Sequence, residues 1–272
     1  MDQYRVFGNP IKQSRSPFIH QAFAEITKQK LNYQSELAEL DSFNSAITEF
    51  ISQGGKGANV TAPFKEQALE ISDELSERAR LAGAVNTLSF KNGKIVGDNT
   101  DGEGLVQDLL RNHVQLENSR ILLLGAGGAS KGVILPLLAQ KPIRITIANR
   151  TVSKAEALIE QFHDDKLSAC GFEQTSDENY DVIINATSAS LSGKIPPISA
   201  SIIVGNTVCY DMVYGKELTP FLVWSKAQGA DKVIDGLGML VGQAAESFAI
   251  WRGVKPDVEA VIKKLKQSLT QE

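Results

Sequence analysis

The sequence predicts an α/β protein of two domains: an N-terminal α/β domain with a mainly parallel sheet and a C-terminal doubly wound domain, with a site in the cleft between them. Three observations carry this. Short β-rich runs alternate with helical periodicities along most of the 272 residues, the pattern that lays helices on the faces of a sheet. Four consecutive apolar residues, Ile121-Leu122-Leu123-Leu124, read as a parallel strand buried on both faces, and a glycine-rich turn and a helix follow directly. A polar run over residues 98–102 marks the boundary. The first domain spans 1–101 and regains C-terminal helices at about 239–272; the second spans 102–238.

Arg5-Val6-Phe7-Gly8 is a strand that closes on the turn Gly8-Asn9-Pro10. Ser16 then stands at an N-cap position with Pro17 at the first helical position, and Phe18, Ile19, Ala22, Phe23 and Ile26 share one helical face. Ser14 lies in the loop and caps nothing evident. Phe43, Ala46, Ile47, Phe50 and Ile51 mark a second amphipathic helix, stopped by Gln53-Gly54-Gly55. Gly57-Ala58-Asn59-Val60-Thr61 is a short strand, and Pro63 opens the helix that carries Lys65. A lysine on a helix surface is ordinary; this one stands out because Asn59 and Thr61 crowd the same strand-to-helix turn. A helical stretch from Leu75 to Leu81 ends near Gly83. Ala84-Val85-Asn86-Thr87-Leu88 and Lys94-Ile95-Val96-Gly97 flank Lys91-Asn92-Gly93, a hairpin with the Asn-Gly turn signal. Asp98-Asn99-Thr100-Asp101-Gly102 then precedes a helix through Leu105, Val106, Leu109 and Leu110, where an aspartate such as Asp101 is commonly a cap.

In Gly125-Ala126-Gly127-Gly128-Ala129-Ser130, Gly125 permits the tight turn and Gly127 lets a pyrophosphate approach the backbone at a helix N-terminus. Ser130 replaces the third glycine of the dinucleotide fingerprint, and the strand before and helix after (Val133, Ile134, Leu137, Leu138) supply the context that the motif needs. Pro136 falls inside that helix and is expected to bend it. The next strand, Ile143 to Ala148, ends in Asn149-Arg150-Thr151, with Lys154 one helical step on. An NAD site usually has a carboxylate there for the ribose hydroxyls; Arg150 instead forks onto a 2′-phosphate and Thr151 donates to it, which points to NADP. Asp181 to Asn185, Thr207 to Met212 and Lys232 to Asp235 are further strands. The last helices begin near Met239 and near Pro256-Asp257, the first holding Gln243, a polar group among apolar neighbours that needs a partner.

Composition narrows the function classes. Apolar residues make up 42% and charged residues 22%, which is ordinary for a folded protein. The net charge of −4 argues against a nucleic-acid partner. Two cysteines, Cys170 and Cys209, and three histidines show no metal-ligand spacing, so no metal is expected. The first residues lack the apolar core of a signal peptide and no apolar run approaches ~18–20 residues, so a cytoplasmic protein with no membrane partner is expected. No interface is legible; monomer and homodimer both stand.

Together, Gly8-Asn9-Pro10-Ile11 with Ser14-x-Ser16-Pro17, Asn59-Val60-Thr61-x-Pro63-Phe64-Lys65, Gly83-Ala84-Val85-Asn86-Thr87, Gly97 to Gly102, the glycine turn, Asn149-Arg150-Thr151, Asn185-Ala186-Thr187-Ser188 and Asp235-Gly236-Leu237-Gly238-Met239-Leu240 resemble the NADP-dependent shikimate dehydrogenase family over the whole chain. The resemblance implies a Rossmann domain for NADP and reversible reduction of 3-dehydroshikimate to shikimate in aromatic amino-acid biosynthesis. It implies that Ser14, Ser16, Asn59, Thr61, Asn86, Tyr214 and Gln243 line the substrate. Gly125, Ala126, Gly127, Gly128, Ala129, Asn149, Arg150, Thr151, Lys154, Thr187, Met212, Gly236 and Met239 would hold the cofactor. The chemistry of the residues agrees: short hydroxyls suit a small polyol carboxylate, and Lys65 with Asp101 supplies charge and a proton where hydride addition builds negative charge on the ketone oxygen. The rival readings are an NAD-using quinate/shikimate dehydrogenase and a non-catalytic NADPH-binding sensor.

Overall fold

The structure, a computed structural model, describes residues 1–271, with Ser176, Asp177 and Gln271 described by their backbone alone. It divides into two compact units: Met1–Gly104 with Leu240–Ser268, and Leu105–Met239 with the chain from Leu269 onward. The first unit is interrupted in sequence by the second.

The first unit begins β1 (Asp2–Gly8), α1 (Ser16–Thr27), β2 (Leu31–Leu37), α2 (Phe43–Ser52), β3 (Gly55–Val60), α3 (Lys65–Glu70). It continues β4 (Glu74–Leu75), α4 (Glu77–Ala82), β5 (Thr87–Lys91), β6 (Lys94–Asp98). The strand order is β2-β1-β3-β5-β6-β4. β1 pairs in parallel with β2 and β3, and β4 with β6; β3–β5 and β5–β6 are antiparallel. Asn92 and Gly93 take φ of 53° and 75°, the two positive values that a type I′ hairpin turn demands. Phe7, Phe43, Phe50 and Phe64 pack into one core. Tyr4 lies on the opposite face of β1 and stacks on Trp251 at 4.7 Å, as the two-residue period of a strand requires. Trp251 belongs to α9 (Leu237–Arg252) and donates to the Leu88 carbonyl at 3.0 Å. Gly57 permits this approach, because a Cβ there would stand 2.5 Å from the indole nitrogen.

Several local expectations shift. Helix α1 starts at Ser16 with Arg15 as its N-cap, so Ser16 is not the cap. Ser14 has a local role after all: its Oγ accepts the Ser16 N–H at 3.3 Å. Leu75 belongs to the short strand β4 rather than to a helix, because the Ser76 hydroxyl caps α4 by accepting from Ala79 N–H. Pro63 sits in the turn, and α3 starts at Lys65.

Helix α5 (Asp101–Arg111) begins in the first unit and ends in the second, which continues β7 (Arg120–Leu124), α6 (Gly128–Leu138), β8 (Arg144–Ala148), α7 (Val152–Glu160), β9 (Leu167–Cys170), β10 (Val182–Asn185). Then follow β11 (Val208–Asp211), α8 (Pro220–Ala227) and β12 (Lys232–Asp235); α10 (Val258–Gln271) lies in the first unit as far as Ser268. All pairs are parallel, in the order β12-β11-β10-β7-β8-β9. This is the doubly wound Rossmann order, whose switch point lies between β7 and β10. Ile121 and Leu123 enter the core on one face of the sheet and Leu122 and Leu124 that on the other. Pro136 stands in the last turn of α6, which stays helical to Leu138. So close to the end only one backbone bond is forgone.

Candidate active site

In the first unit the polar residues gather at the carboxyl ends of β1 and β3. The connection from β1 leads out to β2 on one side while β3 lies on the other, so a topological switch falls here too. Ser14 and Ser16 follow β1; Thr61 and Lys65 follow β3. Thr61 N–H donates to the Phe7 carbonyl at 2.9 Å. The bare Gly8 admits its side chain, since a Cβ there would meet Thr61 Cγ2 at 2.5 Å.

Lys65 Nζ stands 2.5 Å from Asp101 Oδ2. The pair is partly open, with the lysine side chain 32% and the aspartate 21% exposed. The other carboxylate oxygen, Oδ1, accepts from Asn86 Nδ2 at 2.8 Å. Asp101 is not the cap of α5: Thr100 accepts the first helical bond, from Gly104 N–H. Asp101 is the first helical residue instead, where a carboxylate also complements the helix dipole. Its own N–H goes to Asn99 Oδ1 at 3.1 Å. The run before it is anchored by Asp98. Burial pushes that carboxyl up, but the Arg78 fork and the Ser76 hydroxyl outweigh it and hold Asp98 below its ordinary value.

Asn86 is 2% exposed and its amide faces Asp101, Thr100 and, at 3.4 Å, Gln243 Oε1. Gln243 also finds a backbone partner, the Leu240 carbonyl. Asn59 is held from several sides. Its Oδ1 accepts from Tyr33, and its Nδ2 is taken by Asn86 O and by the Thr87 and Ser247 hydroxyls. Every polar atom of Asn59 is engaged inside the protein, at 5% exposure.

In the second unit Gly125 to Ala129 follow β7 and Thr187 follows β10, at the switch point, while Asn149 to Lys154 follow β8, Met212 follows β11, and Gly236 and Met239 follow β12. Gly125 has φ of +105° and lies where a Cβ would be 3.1 Å from Thr187 Cγ2, so both conformation and space call for glycine. The Ser130 hydroxyl donates to Gly125 O at 2.7 Å, which explains a serine at the third fingerprint position: it ties the turn to α6. At Gly127 and Gly128 a Cβ would meet no atom within 4 Å. With no side chain capping α6, its first N–H groups face that open space, the cradle that a pyrophosphate fits. Asn149 Nδ2 holds the Thr151 carbonyl at 2.8 Å. Arg150, Thr151 and Lys154 are exposed, and among the described residues neither Arg150 nor Lys154 has a carboxylate partner, which suits a phosphate. Met212 and Met239 pack against the same core as Ala126. Gly236 must be glycine because a Cβ would fall 2.1 Å from Met212 O. Tyr214 is half-buried after β11.

One constellation here escaped the sequence reading. Asp211, fully buried at the end of β11, accepts from Ser190 and Thr219 hydroxyls at 2.6 Å each, from Val213 N–H and from Asn185 Nδ2. Asn185 Oδ1 in turn receives both Thr187 N–H and its hydroxyl. These partners lie up to 26 residues away, and no spacing rule announces them.

A Rossmann sheet with an anion cradle and free cations, in one chain with an ammonium–carboxylate pair among short hydroxyls, defines the class of nicotinamide-dinucleotide oxidoreductases acting on small polar substrates. Residues 6–88 match the shikimate dehydrogenase substrate binding domain, 106–192 the shikimate / quinate 5-dehydrogenase family and 236–266 the shikimate 5'-dehydrogenase C-terminal domain. The chain belongs to the shikimate dehydrogenase family. It is 66% identical over 268 residues to a shikimate dehydrogenase (NADP(+)) of Colwellia psychrerythraea, covering 98% of each protein. The crystal structure of an Ael1 enzyme from Pseudomonas putida is 46% identical with a TM-score of 0.95, over 97% of this chain and 98% of that one. Shikimate 5-dehydrogenase of Thermus thermophilus, in complex with NADP(H) and shikimate, is 31% identical with a TM-score of 0.89, over 99% of this chain and 100% of that one. Among the described residues no helix is long and apolar enough to cross a membrane.

Proposed function

We propose that this chain reduces 3-dehydroshikimate to shikimate, reversibly, with NADPH. The observation that carries the reading is the Lys65 Nζ–Asp101 Oδ2 contact of 2.5 Å, with Asn86 holding the second carboxylate oxygen. NADPH, when bound, supplies the hydride. Lys65 gives the proton to the ketone oxygen as charge builds there, and in the reverse direction receives it from the alcohol. Asp101 holds the ammonium and orients the neighbouring substrate hydroxyl. Ser14, Ser16 and Thr61 donate to the substrate carboxylate, charge-assisted bonds that neutral hydroxyls make well; Asn86, Tyr214 and Gln243 meet the remaining ring oxygens. Gly125 through Ala129 cradle the pyrophosphate, Asn149, Arg150, Thr151 and Lys154 take the 2′-phosphate, and Thr187, Met212, Gly236 and Met239 line the nicotinamide side. The reaction runs in the cytoplasm, in a chain acting as monomer or homodimer.

The test is oxidation of shikimate and of quinate, each with NADP and with NAD. Shikimate with NADP is expected to give the highest kcat/KM. Preference for NAD would overturn the role given to Arg150, and absence of turnover with every pair would favour a cofactor-binding protein without chemistry.

A further inference from the structure

Asn86 can serve Asp101 only if its amide points one way. Its Oδ1 accepts from Thr100 N–H at 2.9 Å and from the Thr87 hydroxyl at 2.8 Å, which leaves Nδ2 for the carboxylate. The main chain at Asn86 is held in turn by Asn59, whose Nδ2 reaches the Asn86 carbonyl at 3.1 Å and Ser247 Oγ at 3.0 Å. Asn59 is itself an amide with two possible orientations. The Asn86 carbonyl selects one, and Tyr33 pairs the acceptor that this orientation leaves, its hydroxyl donating to Asn59 Oδ1 at 2.7 Å. A reversed Asn59 would aim its carbonyl at the Asn86 carbonyl, oxygen against oxygen, with both buried.

Tyr33 is suited to this task. It lies on β2 opposite Tyr4, is 5% exposed and stacks on His20 at 4.1 Å with 5° between the ring planes. Burial pushes its phenol well above the ordinary value, so the hydroxyl keeps the proton that it donates to Asn59. A phenylalanine would satisfy the stacking equally. The hydroxyl has no packing purpose; its purpose is the bond to Asn59.

We infer that Tyr33 is a positioning residue for the reaction: its hydroxyl fixes Asn59, and through Asn59 and Asn86 it sets the Asp101 carboxylate against Lys65. This rests on the role proposed above for Lys65 and Asp101. The Tyr33→Phe variant keeps ring and volume and removes only the donor. Leaving a buried acceptor unpaired corresponds to about a tenfold loss, and kcat for shikimate oxidation is expected to fall by about that factor while KM for NADP stays within about twofold. A merely structural role would add its effect to any other; a positioning role would not. In a Lys65→Ala background, Tyr33→Phe is therefore expected to change kcat by less than about twofold. An unchanged kcat in Tyr33→Phe, beside a large fall in Lys65→Ala, overturns this inference and leaves the catalytic pair standing. Equal losses in both backgrounds overturn it as well. An unchanged kcat in Lys65→Ala overturns the pair and the inference together. If Tyr33→Phe does not fold, Ser247→Ala, which removes another hydroxyl that anchors the same amide, is read in the same two backgrounds.

Discussion

The two units build their sites from opposite materials. Around Lys65 and Asp101 the functional groups are side chains bonded to other side chains: Asp101 to Lys65 and Asn86, Asn86 to Thr87 and Thr100, Asn59 to Tyr33 and Ser247. At the glycine turn the groups proposed to hold the cofactor are backbone N–H dipoles at the start of α6, with Arg150 and Lys154 exposed and, among the described residues, without a carboxylate partner. Proton transfer needs groups already oriented, because reorganisation at the moment of reaction is slow and costly. Anion capture tolerates flexible cations, because a phosphate presents oxygens in many directions and pays for the ordering on arrival. The first region should therefore respond to change in turnover, the second in affinity.

The largest break in that contrast is Lys65→Ala. A fall in kcat of ~10²–10⁴-fold is expected, with shikimate binding weakened less; steady-state kinetics with NADP saturating measures it. Next comes a contrast in stability. His20 is buried and, among the described residues, neither ring nitrogen has a hydrogen-bond partner; burial lowers it to about 3. Because the folded value lies below the unfolded one, its contribution is complete above pH ~6.5 and is lost as pH falls toward 3. Between pH 7 and pH 4 this one group should cost on the order of 3 kcal/mol. Urea unfolding of the wild type and His20→Leu at both pH values measures it; an equal pH dependence in the two proteins would remove His20 as the cause.

Gly125→Val tests the affinity side. Its φ of +105° and the Thr187 side chain both oppose a branched Cβ, so NADP binding should weaken by about 10- to 100-fold through strain in the turn. Isothermal titration reads this directly, and an unchanged Kd would show that the turn tolerates a different backbone. The smallest effect expected is that of Arg150→Ala, a rise of about tenfold in KM for NADP with kcat little changed. The rise should shrink at high salt, since the residue is exposed and screened. A matching fall in kcat would give Arg150 a part in the chemistry.

Much of this contrast is legible in the sequence, and the reasons differ by region. The Rossmann turn is local: strand, glycines and helix are contiguous, so Ile121 to Ser130 announce themselves. The hairpin at Asn92-Gly93 is likewise set by two residues. Lys65 and Asp101 were reachable because each ends a strand-to-helix turn and their residue types suit the reaction. Ser16 misled because Ser-Pro mimics a cap, while the helix actually takes Arg15 there. Strand β2 escaped because only Leu31 and Tyr33 are fully buried in it, too few for a readable alternation at a sheet edge. Tyr33, Ser247 and Asp211 escaped for a deeper reason. Their meaning lies in partners such as Asn59 and Ser247, 188 residues apart, and a hydroxyl whose partner comes from tertiary structure has no sequence signature.

The interrupted first unit has a consequence for synthesis. Its sheet is complete by Asp98, yet His20, Tyr4, Leu88 and Asn59 find Phe248, Trp251 and Ser247 only in α9. A chain emerging from the ribosome would present that half-covered sheet, aromatic face outward, throughout translation of the inserted unit, whose strands are all contiguous and finished by Asp235. The nucleotide-binding unit is thus positioned to fold first and the unit that begins the chain last. Nascent chains stalled before α9 should accordingly recruit a chaperone through residues near Tyr4 and His20, and release it once Trp251 has emerged.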